Sequence, residues 1–557
     1  MLIKKIITLL LCTFACYANT LSAQDSLLQN DKLLLRDYRY IEQSSPWLTQ
    51  RNAAGLTLLG YGKSVAQAEV SLGRSSGHLI PANGSPSVLD ANAIVESYYR
   101  INSRTVVYGS LSYDNWSGND MVGSVFMQPD GHYPFDIVDD SLTNAGRKHR
   151  DTYHLVGAFG YQLTDGLSVG MRMDYTSGNY AKYKDLRHKN KLMDLQFTAG
   201  LMTTSLSWLN MGANYTYHRQ TESVEFSTNG KSEKVYKSLI DYGALMGLVE
   251  QFGNEGYTDK SNEMPLFEDA HGVGLQLELL PSTSARKYNE GFSLFTSISY
   301  SHATGYYGRR SPYSITYTDH DRDITEASLR LLYYPSSHAS RSHLDLTYSN
   351  ECLKNRANTF RSLINENGSS YYEYYDAAET GKKHWRNLQI DYTLHLRPIG
   401  EQPLWTITAG YHWQQRDITA YLYPYYRQQQ LRINEWSGSI TRNLLFDNSI
   451  LSITARGGYQ QGSGEPYKDG TFVTPSSKQP EPATMPALLN RDYEYLTASQ
   501  YALGLQAKYA FIFPSTLLRT HIRAAFDYRK ATTSDASPSG LHNPSRTTFL
   551  IAAGHTF

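Results

Sequence analysis

The sequence feature that most constrains the fold is a strict alternation of apolar and polar side chains, repeated in segments of about ten residues. In the clearest segment, Leu167 to Thr176, the odd positions are apolar and the even positions are polar or glycine. Successive side chains of a β-strand point to opposite faces, so this segment has one apolar and one polar face. About 9–11 residues suffice for a tilted strand to cross a bilayer. The alternation therefore predicts strands that cross a membrane.

The same pattern recurs along the chain and predicts an all-β fold, a transmembrane antiparallel up-and-down β-barrel. We expect about 18 strands, an even number as in single-chain bacterial barrels, with about 16 as the fallback because 432–444 alternates weakly. The predicted strands are 65–73, 92–101, 104–113, 152–163, 166–176, 192–203, 206–218, 271–280, 291–301, 325–334, 342–350, 386–396, 404–415, 432–444, 449–460, 496–511, 517–528 and 546–557.

The connections between these segments alternate between short and long, as expected when short periplasmic turns and long external loops join the strands of such a barrel. Tight turns are predicted at Asn102–Ser103, Thr164–Asp165, Thr204–Ser205, 446–448 and 513–515. Long loops are predicted near 114–151, 219–270, 351–385 and 461–495. The barrel itself is assigned to residues 65–557.

Composition agrees with this fold once the alternation is considered. The mean hydropathy of −0.48 is that of a soluble protein, but only every second residue of a barrel strand faces lipid. The chain has 45 tyrosines among 557 residues, and aromatic girdles at the membrane interfaces account for such an excess. Its net charge of zero gives no reason to expect nucleic acid as a partner.

The N-terminus has the order of a secretory signal peptide, predicted as residues 1–23. Lys4 and Lys5 precede an apolar stretch, and Ser22 and Ala23 form a small-residue cleavage site. Lipidation at Cys16 is the alternative, although the bulky Phe14 suits a lipobox poorly. Cleavage after Ala23 leaves Cys352 as the single cysteine, so no intramolecular disulfide is expected.

Residues 24–64 form a leader before the barrel, and two placements are open for it. Its string Asn52-Ala53-Ala54-Gly55-Leu56 resembles the Asn-Pro-Ala type start of fatty-acid transporter barrels. That resemblance implies a small plug in the lumen, as the N-terminal hatch of those transporters fills the pore. The alternative is a periplasmic tail packed under the barrel.

The last nine residues, 549–557, resemble the C-terminal signature of outer-membrane proteins, an alternating strand that ends in an aromatic residue. Phe557 is then the insertion signal, and the resemblance implies the barrel-insertion machinery as a partner. His555 departs from the commoner aromatic two residues before the end. Over its whole mature length the chain resembles a Bacteroidota-type family of outer-membrane β-barrels without established function. This resemblance implies a location in the cell outer membrane, with outer-membrane lipid around the wall.

Charged residues on the polar face of the predicted strands are candidates for the lumen. Both signs occur, which suits ion pairs that brace the wall or a weakly selective constriction. The lumen-facing candidates are Arg172, Asp174, Glu278, Arg330, Asp345, Asp391, Arg397, Lys508, Arg519, Arg523 and Asp527.

Motifs that would carry enzyme chemistry do not have the required spacing. Gly62-Lys63-Ser64 lacks the glycine that a phosphate-binding loop needs five positions earlier, where Thr57 stands. Asp319-His320-Asp321 is read as a charged loop tip and not as a metal site. A hydrolase at the external rim would need a histidine such as His302 or His412 beside a nucleophile. We predict no enzymatic activity, no cofactor and no metal.

The sequence thus predicts a channel or transport protein for a small solute. The alternative is a non-transporting barrel that forms an outer-membrane assembly with a surface lipoprotein, a transporter or a secretion partner. A TonB-dependent receptor is not expected, because receptors of that class resemble larger barrels of 22 strands with a separate plug domain, which 41 leader residues cannot supply.

Overall fold

The computed structural model shows a closed antiparallel barrel of 18 strands. It describes residues 38, 42, 45–60, 64–127, 132–139, 144–230, 233–253, 256–259, 263–281, 291–335, 340–399, 402–446, 449–512, 519–533, 539 and 542–556. Each strand pairs with its neighbours in sequence, and the first strand pairs with the last to close the ring. The predicted signal peptide and Phe557 lie outside the described residues.

The barrel strands are β1 (Val65–Gly77), β2 (Ser87–Arg100), β3 (Thr105–Met121), β5 (Gly146–Thr164), β6 (Leu167–Lys182), β7 (Arg187–Leu206), β8 (Leu209–Ser227), β11 (Met264–Leu279), β12 (Gly291–Gly308), β13 (Thr316–Tyr334), β14 (Ser340–Ile364), β15 (Ser370–Ile399), β16 (Gln402–Leu422), β17 (Tyr425–Phe446), β18 (Ser449–Gly464), β21 (Ser499–Ile512), β22 (Arg519–Thr532) and β23 (Ser545–Thr556). The remaining strands are β4 (Asp136–Asp139), β9 (Lys237–Gly243), β10 (Met246–Gln251), β19 (Lys468–Thr471) and β20 (Ala483–Thr484). The all-β barrel and its strand number are therefore confirmed.

The observed strands extend beyond the predicted ones, mainly at the external end. The largest difference is at 351–385, where the predicted long loop is wrong. There β14 and β15, of 25 and 30 residues, form a hairpin that projects from the wall. Their outer halves mix polar, aromatic and aliphatic side chains without a regular alternation, so the sequence pattern there resembled a loop.

An apolar surface covers the outside of the wall. Val70, Leu72, Leu503 and Leu505 are among its exposed side chains, with half or more of Val70, Leu72 and Leu503 exposed. Above it, four aromatic rings form a continuous row across four neighbouring strands. These are Tyr411, Trp436, Tyr459 and Tyr501, with centroid separations of 5.7, 5.9 and 5.0 Å. Such a girdle lies at the lipid headgroups and fixes the level of the membrane interface.

Three external loops fold back into the barrel and form what we call the external plug. It comprises the four-stranded sheet β20-β10-β9-β4, the helix α1 (Pro486–Thr497) and the described residues of 122–135 that precede β4. Its aromatic core packs on inward-facing wall residues: the ring of Phe135 meets Tyr307 of β12 edge-on at 5.0 Å. The predicted loops 114–151, 219–270 and 461–495 are thus largely ordered structure.

The described part of the leader forms two short 3₁₀ helices, Pro46–Thr49 and Ala53–Leu58. They lie against the inner wall of β5 to β8 and β11 near the end with short turns, the periplasmic end of such a barrel. None of the described residues belongs to a helix long and apolar enough to span a membrane.

Candidate functional site: a polar lumen with a plug at each end

Trp47 anchors the leader to the wall. Its side chain is fully buried and meets the ring of Phe295 edge-on at 5.3 Å. The indole nitrogen donates a 2.6 Å hydrogen bond to Glu278, which also accepts one from Asn210 at 2.8 Å. The predicted lumen residue Glu278 therefore holds the leader, and its buried charge has polar partners.

Asn52 makes the most extensive polar contacts of the leader. Its amide donates to the backbone oxygens of Leu201 and Ala213 and to the side chain of Gln276, at 3.0, 3.3 and 2.9 Å. Its side-chain oxygen accepts from the amide of Ala54 and caps the second 3₁₀ helix. One buried side chain thus joins the leader to three wall strands.

Four inward-facing glycines of the wall form the surface on which the leader lies. Gly160, Gly170 and Gly200 are directly paired across β5, β6 and β7, and Gly212 follows on β8. A Cβ added at Gly170 would overlap the backbone of Ala53 and Ala54, and one at Gly212 would come within 2.8 Å of the Trp47 ring. The polar face of these strands is therefore shaped for close approach of the leader backbone.

Charged wall residues hold the external plug by its backbone. Glu222, which is buried, accepts hydrogen bonds from the Met127 amide and the Tyr133 hydroxyl at 2.7 and 2.6 Å. Lys148 donates to the backbone oxygen of Ser124 at 2.6 Å, and Lys383 to that of Tyr133 at 2.8 Å. The plug is thus attached through polar contacts as well as through its aromatic core.

Two carboxyl groups of the plug lie near Lys383. Asp136 accepts a hydrogen bond from Ser124 at 2.7 Å, and the residue is half-buried within the plug. This burial, with a contribution from the neighbouring Asp241 and against the hydrogen bond from Ser124, raises the pKa of Asp136 to about 7. Burial also raises the pKa of Asp241. One consequence is that the charge inside the plug changes close to neutral pH.

A polar chamber of about 600 Å³ lies above the leader. Thr49, Gln50 and Arg51 contribute to its lining from the leader side, and β8 and β11 to β16 provide much of its wall. A separate space of about 10 Å³ beside Tyr133 and Pro134 of the plug shares Glu268 and Arg322 with this lining. We call the larger space the central chamber.

A second cavity, of about 310 Å³, lies beside the external plug. Lys383 and Trp385 of β15 and Gln414 and Arg416 of β16 line it. The next inward positions of the same two strands, Asn387, Gln389 and His412, line the central chamber. The two cavities therefore follow one another along the β15–β16 wall.

Most of the predicted lumen residues make ion pairs or hydrogen bonds with wall or leader residues. Arg172 pairs with Asp174 at 2.7 Å, Arg330 with Asp345, Arg523 with Glu69, and Asp527 with Arg456 at 3.0 Å. Asp391 accepts from Gln389, Arg519 is buried, and Lys508 occupies an inward position of β21. Arg397 is the exception, exposed with a φ of +50° that interrupts the alternation of β15.

The structure also assigns roles to residues that sequence reasoning missed. Glu222, Lys148 and Lys383 hold the plug, and the four wall glycines receive the leader. Glycines at inward positions of neighbouring strands were a usable signal, because glycine within a strand often marks a place where another backbone approaches closely. Among the described residues, no group of three or more His, Cys, Asp or Glu side chains could hold a metal ion.

A closed barrel with an apolar outer surface, an aromatic girdle and a polar lumen defines an outer-membrane-type β-barrel protein. Residues 53–557 match the model of a family described as Family of unknown function (DUF6850), and the chain belongs to that family. None of the curated proteins matches the sequence.

Solved structures of similar shape include two outer-membrane proteins. The ferric preacinetobactin receptor BauA from Acinetobacter baumannii is 9% identical, with a TM-score of 0.41 over 88% of this chain and 80% of the receptor. The outer membrane transporter YddB from Escherichia coli is 8% identical, with a TM-score of 0.40 over 90% of this chain and 81% of the transporter.

Proposed function

We propose that this protein is a gated transporter that carries a small polar solute across the outer membrane of a Bacteroidota-type envelope, to which the signal peptide 1–23 directs it. The observation that carries the proposal is the central chamber, a polar space of about 600 Å³ between the leader and the external plug. An 18-strand wall encloses a channel-sized lumen unless something fills it. Here segments of the chain itself occupy both ends.

The leader is the element best suited to move. Its described residues contribute no strand to the wall, so their departure breaks no hydrogen bond of the barrel ladder. On the chamber side its contact is the Arg51–Glu326 ion pair of 3.2 Å, whose two side chains are about half exposed. Exposed pairs of this kind contribute about 0–1 kcal/mol. A solute in the chamber therefore reaches the weak Arg51–Glu326 pair before it reaches the buried contacts of Trp47 and Asn52, which lie on the periplasmic side of this pair.

A reversible disulfide between the leader and the wall tests this proposal. The hydroxyl oxygens of Thr57 and Ser168 are 3.0 Å apart, so cysteines at these positions are within bonding reach. In a Cys352→Ser background, the Thr57→Cys/Ser168→Cys variant should lose ion conductance in planar bilayers when oxidised and regain it when reduced. Removal of residues 24–64 should raise the conductance.

The matched control is Thr57→Cys alone, which should conduct equally under oxidising and reducing conditions. Heat-modifiable mobility on gels verifies that each variant forms the barrel. Unchanged conductance of the oxidised double variant would refute a mobile leader. A current absent from every folded variant, including the one without the leader, would refute transport through the lumen.

The projecting β14–β15 hairpin favours a second candidate function, the binding of an external protein partner. Beyond Ala357 and Gly381 the two strands pair with each other and not with β13 or β16. Ile364 at the tip is 74% exposed, and Tyr375, nearer the wall, is 57% exposed. Shortening the hairpin should abolish co-purification of such a partner from native membranes and leave conductance unchanged, whereas a partner retained by the shortened protein would exclude this surface.

A further inference from the structure

We propose that the central chamber is a binding site for a neutral, polyhydroxylated solute of mono- or disaccharide size. This inference rests on the proposed transport function and names the chemical class of the solute. The volume of about 600 Å³ lies within the range of small-molecule sites, roughly 300–1,000 Å³.

The uncharged lining of the chamber consists largely of hydroxyl and amide side chains. Examples from three strands of the wall are Ser297 and Ser299 of β12, Thr347 of β14, and Asn387 and Gln389 of β15. Each hydroxyl and each amide can both donate and accept hydrogen bonds. A solute that presents many hydroxyl groups has the same dual character, so it can replace the water that these side chains would otherwise bind.

The charged side chains of the chamber have opposite partners within the protein. Glu326 pairs with Arg51 at 3.2 Å, and Glu268 pairs with Arg322 at 2.9 Å. Arg322 also approaches Glu351 at 3.5 Å. An ionic solute would have to break one of these pairs to gain a counter-charge, whereas a neutral solute leaves them intact. The electrostatics therefore favour an uncharged solute.

Access follows from the stacking of the two cavities along β15 and β16. Trp385 lines the outer cavity, and Asn387 and Gln389, the next inward positions of β15, line the central chamber. His132 covers Trp385 with a parallel ring at 4.1 Å, and its Nδ1 lies 2.7 Å from Glu351. A solute moving inward along this wall thus passes an aromatic surface before it reaches the amides.

Calorimetric titration of the full mature protein in nanodiscs tests the solute class. The probes are maltose, sucrose and glucose as neutral sugars, and maltobionate as an anionic analogue of the same size. We expect at least one neutral sugar to bind with a Kd of about 1 mM or tighter, and maltobionate to bind at least about tenfold more weakly than maltose. Equal or tighter binding of maltobionate, or no binding of any neutral sugar, would overturn the assignment.

Two substitutions locate the binding within the chamber. Asn387→Ala/Gln389→Ala removes two inward amides and should weaken sugar binding by about tenfold or more, since two hydrogen bonds are lost. Leu388→Ala, at the outward position between them, is the matched control and should bind as the parent does. Equal affinities of these variants would place the sugar elsewhere.

The disulfide experiment separates this inference from the function on which it rests. Redox-controlled conductance without sugar binding would leave gated transport standing and refute the solute class. Sugar binding without any current would refute transport and leave the binding site.

Discussion

Replacement of Trp47 by alanine should release the leader from the wall. The side chain is fully buried between Phe295, Met202 and Ala54, and truncation of a buried tryptophan costs about 3–5 kcal/mol. The Glu278 carboxylate keeps its hydrogen bond from Asn210 in this variant, so the substitution leaves no buried charge without a partner. At 1.36 kcal/mol for each factor of ten, the undocked fraction of the leader should rise by about 10²–10⁴.

Hydrogen exchange followed by mass spectrometry measures this change. The amides of Gln50, Gly55 and Leu59 donate hydrogen bonds within the leader, and their exchange should accelerate by the same factor when local opening limits it. Trp47→Phe retains a ring against Phe295 and should accelerate exchange much less. Trp208→Ala removes an exposed tryptophan and serves as the control. Unchanged exchange of the leader in Trp47→Ala would refute the view that this contact holds it.

Three further predictions concern the wall and the plug. Gly170→Val should displace the leader and expose 45–60 to exchange, because its side chain would overlap Ala53 and Ala54, whereas Gly157→Val, where a Cβ meets nothing within 4 Å, should not. Burial raises the pKa of Asp136 to about 7. Between about pH 4 and 7 this carboxyl group is therefore protonated in the native plug and ionised in the unfolded chain. The free energy of unfolding of the plug should fall as pH rises through this range. Exchange of residues 237–251, corrected for intrinsic rates, should therefore be faster at about pH 8 than at about pH 6 in the parent. Asp136→Asn should reduce the difference, and Asp241, whose pKa is also raised, should account for the part that remains. Trp436 lies in the aromatic girdle. Its contribution to the fluorescence, measured as the difference between the parent and Trp436→Phe, should be quenched more by lipids labelled near the headgroup than by lipids labelled at the chain end.

The barrel wall could be predicted from the sequence because its determinant is local. Contact with lipid on one side and water on the other imposes a period of two, and all 18 predicted segments overlap an observed strand. The period is lost where both faces meet water, as in the outer half of β14 and β15. The predicted loop at 351–385 was wrong there, because a strand shows a period of two only where its two faces meet different surroundings.

The external plug and the polar chamber could not be predicted in this way. β9 and β10 form a local hairpin, but Asp136 of β4 pairs with Asp241 and Thr484 of β20 with Met246, so two of the four short strands have partners that lie more than a hundred residues away. Runs such as Leu239-Ile240 inside a polar loop indicate buried structure, but they do not identify its partner. The string at Asn52 did indicate contact with the lumen, although the wall residues that receive it became visible only in the structure.

The glycine surface under the leader has a consequence for biogenesis. The wall residues that form the buried contacts with Trp47, Asn52 and the leader backbone lie on β5 to β8, β11 and β12, within the first half of the barrel, whereas the ring closes only when β1 pairs with β23. If the leader docked only after β1 had paired with β23, it would have to enter a barrel that is already closed. Since its receiving strands precede the sealing strand by more than two hundred residues, the leader can be laid on an open, curved sheet and enclosed as the last strands arrive. The β1–β23 pairing then closes the wall around a leader that is already docked.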